Sequence, residues 1–159
     1  MQTLIRKMLL EDLDQVVAID QVSFSLPWPA RSFRFEITDN PAARGWVAET
    51  DDRVVGMLVL WMIVDEAHIA TLATHPDFRR QGIAQQLLIH ALRFAAGEGA
   101  RKAFLEVRAG NQAARAMYQK YGFVEEGLRP RYYKDNREDA ILMSLAGLKV
   151  GSFEGFDGG

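Results

Sequence analysis

The chain has 159 residues, 48% of them hydrophobic, with a formal net charge of −2 and no cysteine. That suits one globular domain with an ample core. It argues against nucleic acid as the principal partner, which needs a concentrated basic face, and it excludes disulfides, thiolate metal sites and a cysteine nucleophile.

Leu4 to Met8 reads as a short strand and Glu11 to Val22 as a helix with an imperfect face, Leu13, Val16, Val17 and Asp20 setting one side and Ile19 beside it. Phe24 to Pro29 must be a loop, because the residue before each proline is pushed out of the helical region. Pro29 suits a first helical turn, so a second helix is expected over about Ala30 to Thr38. Strands follow at Gly45 to Glu49, Val54 to Val64 and Ala67 to Thr74, the first two joined by an Asp51-Asp52 turn. No apolar run approaches the ~18 residues of a membrane span, and the N-terminus lacks an apolar signal region. A soluble, cytoplasmic protein is expected.

The clearest element comes next. Ile83, Ala84, Leu87, Leu88, Ala91, Leu92 and Ala95 recur at the spacing of one buried helix face, and Gly97 and Gly99 supply a stop. Its start, Arg79-Arg80-Gln81-Gly82, combines two cations with free backbone N–H groups and a glycine that lets an anion approach. Such a start suits a diphosphate, yet neither a nucleoside-triphosphate loop nor a dinucleotide fingerprint is present. Taken alone, Arg79 and Arg80 fit solvated loop cations equally well. A strand over Ala103 to Arg108, a helix from Asn111 to Lys120 capped by Gly122, and strands from Phe123 and over Ala140 to Leu145 complete a mixed α+β order with a right-handed β-α-β crossover. One domain over 1–148 is expected, and the glycine-rich stretch 149–159 reads as a flexible tail.

Glu106 and Tyr118 are the candidate reactive groups. Alternation in the strand puts Glu106 and Arg108 on one face, opposite Leu105 and Val107. Glu106 alone fits a solvated edge position or an ion pair with Arg108, and Tyr118 alone fits core packing. The three histidines are dispersed and give no metal-ligand spacing, so no metal is expected.

Taken together, the motifs carry more. Asp77-Phe78-Arg79-Arg80-Gln81-Gly82-Ile83-Ala84, Leu105-Glu106-Val107-Arg108, Asn111, Met117-Tyr118 and Tyr121-Gly122-Phe123 closely resemble the GNAT acetyltransferases, in particular the RimI-type ribosomal-protein-alanine N-acetyltransferases and the archaeal protein N-terminal acetyltransferases. Leu26-Pro27-Trp28, Phe33, Asp65-Glu66-Ala67, Arg129, Tyr132-Tyr133 and Glu138 to Met143 extend the resemblance over nearly all of Leu4 to Leu145. It implies the GNAT fold, a mostly antiparallel sheet flanked by helices around a β-α-β unit that binds acetyl-CoA. It also implies direct acetyl transfer in a ternary complex.

By that analogy Leu72, Ala73 and Thr74 hold the pantetheine arm by backbone hydrogen bonds. The N–H groups from Gln81 through Gly82 and Ile83 to Ala84 take the pyrophosphate beside Arg79 and Arg80, and Asn111 contacts the cofactor. Glu106 is the general base, Tyr118 protonates the departing thiolate, and Phe24, Trp28, Tyr132 and Tyr133 form walls that grip a peptide N-terminus. Ala84, Met117 and Thr71 depart mildly from the commonest family pattern. An α-amine of pKa ~7.8 is far more often neutral near pH 7.5 than a lysine of pKa ~10.4, a gap of about 3 kcal/mol. A single carboxylate therefore suits an N-terminus. Acetylation of a small amine or a lysine, or an idle acyl-CoA-binding module, are the rival readings.

Overall fold

The structure, a computed structural model, describes residues 2–153. Seven strands form one sheet in the order β1-β2-β3-β4-β5-β7-β6. They are β1 (Leu4–Lys7), β2 (Ala43–Thr50), β3 (Arg53–Ile63), β4 (Glu66–Thr74), β5 (Lys102–Arg108), β6 (Val124–Arg129) and β7 (Ala140–Leu145). Helices α1 (Leu13–Ser23) and α2 (Ala30–Thr38) connect β1 to β2, α3 (Ile83–Gly97) connects β4 to β5, and α4 (Gln112–Lys120) connects β5 to β6. Short 3-10 turns at Leu10–Asp12 and Pro76–Phe78 precede α1 and α3. The α+β order expected from the sequence is thus the order found, and every pairing is antiparallel except β4 with β5.

Strands β2 and β3 are apolar on both faces because both faces are covered. On one side α1 and α2 pack Val16, Ile19 and Phe33 against Val47, Met57 and Val59. On the other, α3 packs its Leu87, Leu88 and Leu92 stripe against Ala48, Leu58 and Leu60, and Tyr118, Tyr121 and Phe123 join the same cluster. The tight Asp51-Asp52 turn has both residues at positive φ (52° and 63°), as a two-residue hairpin of this hand requires.

Two details differ from expectation. Helix α1 starts later, at Leu13, because Asp12 turns inward: Arg6 donates to both its oxygens (2.8 Å each) and the Leu9 N–H to one (2.8 Å). In the segment read as a flexible tail from 149, Lys149 to Ser152 are exposed, but Phe153 is 5% exposed and lies against Tyr121. An aromatic ring with an apolar groove within reach outweighs the local glycine content. The rest of that tail, 154–159, lies outside the described residues.

Candidate active site

The site originates in a backbone irregularity. In the β3–β4 ladder Val59 pairs with Thr71 but Leu60 pairs with Ile69, leaving Ala70 as an extra residue in β4. Such a bulge bends its strand and sharpens the local twist. Immediately before it, β4 pairs with β5 over only three positions, Glu66 to His68 against Lys102 to Phe104. Past His68 the strands diverge, β4 staying with β3 and β5 with β7. The β4 edge beyond the bulge therefore has no strand paired to it on the β5 side.

A cleft of about 560 Å³ occupies this divergence. Its floor is Thr71 and Leu72 of β4 with Glu106 and Arg108 of β5. Asn111 and Tyr118 come from α4 and its cap, and Asp20, Phe24, Ser25 and Trp28 from α1 and the loop behind it. Tyr133, from the loop between β6 and β7, closes the wall. Of the residues singled out in the sequence, Leu72, Glu106, Asn111, Tyr118, Phe24, Trp28 and Tyr133 are thus brought together. Tyr132 is not: it is 45% exposed, with its ring against Tyr133 and under the Arg129 guanidinium.

Next to the cleft, Gly82 caps α3 with φ +79°, a left-handed conformation that glycine takes without penalty. The first amide of this helix to bond back is Gln86, onto the Gly82 carbonyl (3.0 Å). The N–H groups of Gly82, Ile83, Ala84 and Gln85 are left without an intrahelical acceptor. Arg79 is tied down: its Nε donates to the Thr74 carbonyl (3.2 Å) and its Nη2 to the Ser23 hydroxyl (3.4 Å). Arg80 stays exposed beside the helix start, at φ +65°. The Thr74 hydroxyl is buried with no hydrogen-bond partner.

A bare strand edge that presents peptide groups, a nearby buried hydroxyl lacking a partner, four free amides and two cations together fit an acyl-pantetheine arm ending in a diphosphate. Gly56 makes the arrangement possible, because a Cβ there would sit 2.9 Å from Ile83 Cγ2 and 3.1 Å from Leu87 Cδ1. Gly56→Ala is expected to push the start of α3 off β3. It should cost about 1–3 kcal/mol of stability and raise the KM for acyl-CoA several-fold; an unchanged KM would mean that this packing does not set the amides.

The two reactive candidates sit in contrasting surroundings. Glu106 is partly open to solvent, its side chain 33% exposed, and its charge partner is Arg129 (3.7 Å), not Arg108. Tyr118 is 7% exposed and packs edge-to-face on Phe123 (5.6 Å between centroids). Burial pushes the Tyr118 phenol well above its ordinary range, so it is an O–H donor at any working pH. Asn111 is the expected N-cap, its Oδ1 accepting from the Ala114 N–H (3.2 Å). His68 bonds Glu66 and stacks on Phe104, and His75 accepts from the Asp77 N–H; neither lines the cleft. Among the described residues, no group of three acidic or histidine side chains is arranged to hold a metal.

Four further residues shape the site: Asp20, Ser25, Arg108 and Asp135. Asp20 is 1% exposed and accepts the Trp28 N–H (2.7 Å), which fixes the loop that carries Trp28 into the cleft. The signal that could have found it is its place among Leu13, Val16 and Val17 on one side of α1. Burial pushes its carboxyl up, against the pull of that N–H toward the charged form. A raised folded-state value means that stability tied to this group is present at low pH and lost as pH rises through it. Asp20→Asn keeps an acceptor for Trp28 but carries no charge. Its stability relative to the parent is expected to be most favourable near pH 7.5 and to converge toward pH 4 in denaturant titrations; a gap that widens on acidification would contradict this. Arg108 belongs to the Leu105–Arg108 motif, but nothing in the sequence points to its meeting with Ser25 and Asp135, which depends on the fold.

Comparison with known proteins agrees with this geometry. The model of the Acetyltransferase (GNAT) family matches residues 13–123. The [ribosomal protein bS18]-alanine N-acetyltransferase of Escherichia coli K12 is 32% identical over 145 residues, covering 84% of this chain and 90% of that protein. The crystal structure of the ribosomal-protein-S18-alanine N-acetyltransferase from Escherichia coli superposes with a TM-score of 0.86 at 30% identity, covering 98% of this chain and all of that one. Ard1 from Thermoplasma volcanium superposes equally well, with a TM-score of 0.86 at 28% identity over 94% of this chain. A split sheet with a diphosphate-type helix start, and a family match over most of its length, make this chain a member of the GNAT acetyltransferase family, an enzyme that uses acetyl-CoA.

Proposed function

We propose that the enzyme acetylates the α-amine of a protein N-terminus, and that an N-terminal alanine of a ribosomal protein is the first acceptor to try. The observation that carries this is the open cleft between the Phe24–Trp28 loop and Tyr133, which runs down to Glu106 and Tyr118. Tyrosine and tryptophan walls offer rigid apolar bodies with polar tips, suited to the first residues of a peptide. The relatives named for ribosomal-protein-alanine acetylation support the same acceptor class. A cytoplasmic location goes with such an acceptor; among the described residues no helix is long and apolar enough to cross a membrane.

Bound acetyl-CoA supplies an already activated thioester, so the chain's task is to position it, accept one proton and deliver another. Leu72, Ala73 and Thr74 would hold the pantetheine arm along the bare β4 edge. The amides around Gly82, with Arg79 and Arg80, would hold the diphosphate, and Asn111 would touch the arm from the other side. Glu106 takes the proton of the acceptor ammonium, directly or through a water. As the new N–C bond forms and the C–S bond breaks, Tyr118 gives its proton to the leaving sulfur, and the surplus proton on the new amide nitrogen, passed through solvent in the cleft, restores the phenol. Tyr132, on the outer side of the wall, would meet only residues further along the peptide. Mass spectrometry of peptides differing only in their first residue tests the reading. Acetyl is expected on the α-amine and absent from internal lysines. Acetyl on lysine alone would replace this function with a side-chain acetyltransferase.

A further inference from the structure

The two walls of the cleft come from distant parts of the chain, and one side chain holds both. Arg108 lies on β5 two residues beyond Glu106, on the same face. Its Nη2 donates to Ser25 Oγ (3.1 Å) in the loop after α1. Its Nη1 donates to Asp135 Oδ1 (3.0 Å) and Asn136 Oδ1 (3.3 Å) in the loop before β7, with Glu138 Oε1 at 3.6 Å. The guanidinium carbon stands 3.9 Å over the Tyr133 ring. Ser25 closes the circuit by donating its hydroxyl proton to Asp135.

We propose that Arg108 is a positioning residue that sets the width of the acceptor cleft by tying the Ser25 loop to the Tyr133 loop. The proposal rests on the reading of that cleft as the peptide site, and deepens it. Only a planar fork of five donors can bond two loops at once while stacking on a ring; an ammonium is a point charge on a flexible stem. Each of these pairs is partly solvated, with about a quarter of the Arg108 and Asp135 side chains exposed. The tie therefore contributes less to global stability than to the relative placement of the loops. The Gly110 N–H donates to Glu138 and extends the same network to the start of α4, so Tyr133, Glu106 and the α4 cap share one reference point.

The test compares the parent with Arg108→Lys and Arg108→Ala, reading steady-state kinetics on an N-terminal alanine peptide and amide hydrogen exchange. Both variants are expected to raise peptide KM about tenfold or more, since small misplacements of a binding wall are costly. The KM for acetyl-CoA should stay within about twofold. Residues 23–29 and 131–138 should lose exchange protection together, while α3 and the central strands keep theirs. Adding Ser25→Ala to Arg108→Lys should raise peptide KM further, because it also removes the Ser25–Asp135 bond that still joins the loops. Unchanged peptide KM, or protection retained in either loop, would overturn the proposal. So would a parallel loss of kcat, both KM values and Tm, the pattern of a purely structural residue. If the parent turns over no N-terminal peptide, the acceptor reading fails, and the exchange experiment still decides whether Arg108 ties the loops.

Discussion

Tyr118→Phe is expected to lower kcat about 100-fold, the usual scale for a lost general acid, while leaving the KM for acetyl-CoA nearly unchanged. The substitution deletes one oxygen and keeps the ring that packs on Phe123, so the core should be little disturbed. The parent should show no alkaline loss of rate from this group, because burial keeps the phenol protonated beyond the ordinary tyrosine range. Activity is measured as CoA release under saturating peptide. A variant as fast as the parent would make Tyr118 a packing residue and leave the departing thiolate to solvent.

Glu106→Gln should be equally damaging but with a different pH signature. At pH 6.5 most acceptor α-amine is protonated, and the carboxylate is required to remove that proton; a loss of about 100-fold in kcat/KM is expected there. As pH passes ~7.8 an increasing share of acceptor arrives neutral, so the gap between parent and variant should narrow. The ion pair with Arg129 gives a control. Arg129 sits 3.7 Å from Glu106, and a structural role for the pair would make Glu106→Gln and Arg129→Gln similar in stability and in rate. A pH-independent ratio of rates would remove Glu106 from proton transfer.

The placement of these two residues is legible in the sequence because each sits in a periodic element, whereas their roles come only from the family resemblance. Alternation in Ala103–Arg108 fixes which side Glu106 faces, and Asn111, an N-cap by type, fixes where the helix bearing Tyr118 starts. The α3 stripe was legible for the same reason, and with it the amides behind Gly82. What the sequence did not carry is the cleft itself. It depends on the bulge at Ala70, which no residue type announces, in a strand whose small and β-branched residues would pair equally well without it. The Ser25–Arg108–Asp135 circuit was invisible for a related reason: its members are 83 and 27 residues apart and acquire a common role only through tertiary placement. Phe153 packs beside Tyr121 within a glycine-rich stretch, since glycine content describes local freedom and not the hydrophobic surface within reach. As adjacent residues Tyr132 and Tyr133 also fit an alternating pair with one ring in and one out; the loop that carries them turns Tyr133 into the cleft and leaves Tyr132 outside it.

The central claim is that this active site serves an N-terminal α-amine. The most direct measurement is CoA release from acetyl-CoA with two matched peptides, one with a free N-terminal alanine and no lysine, the other with a blocked N-terminus and one internal lysine. Turnover of the first alone is the predicted result. Turnover of the second alone would contradict the account, and so would turnover of neither while acetyl-CoA still binds.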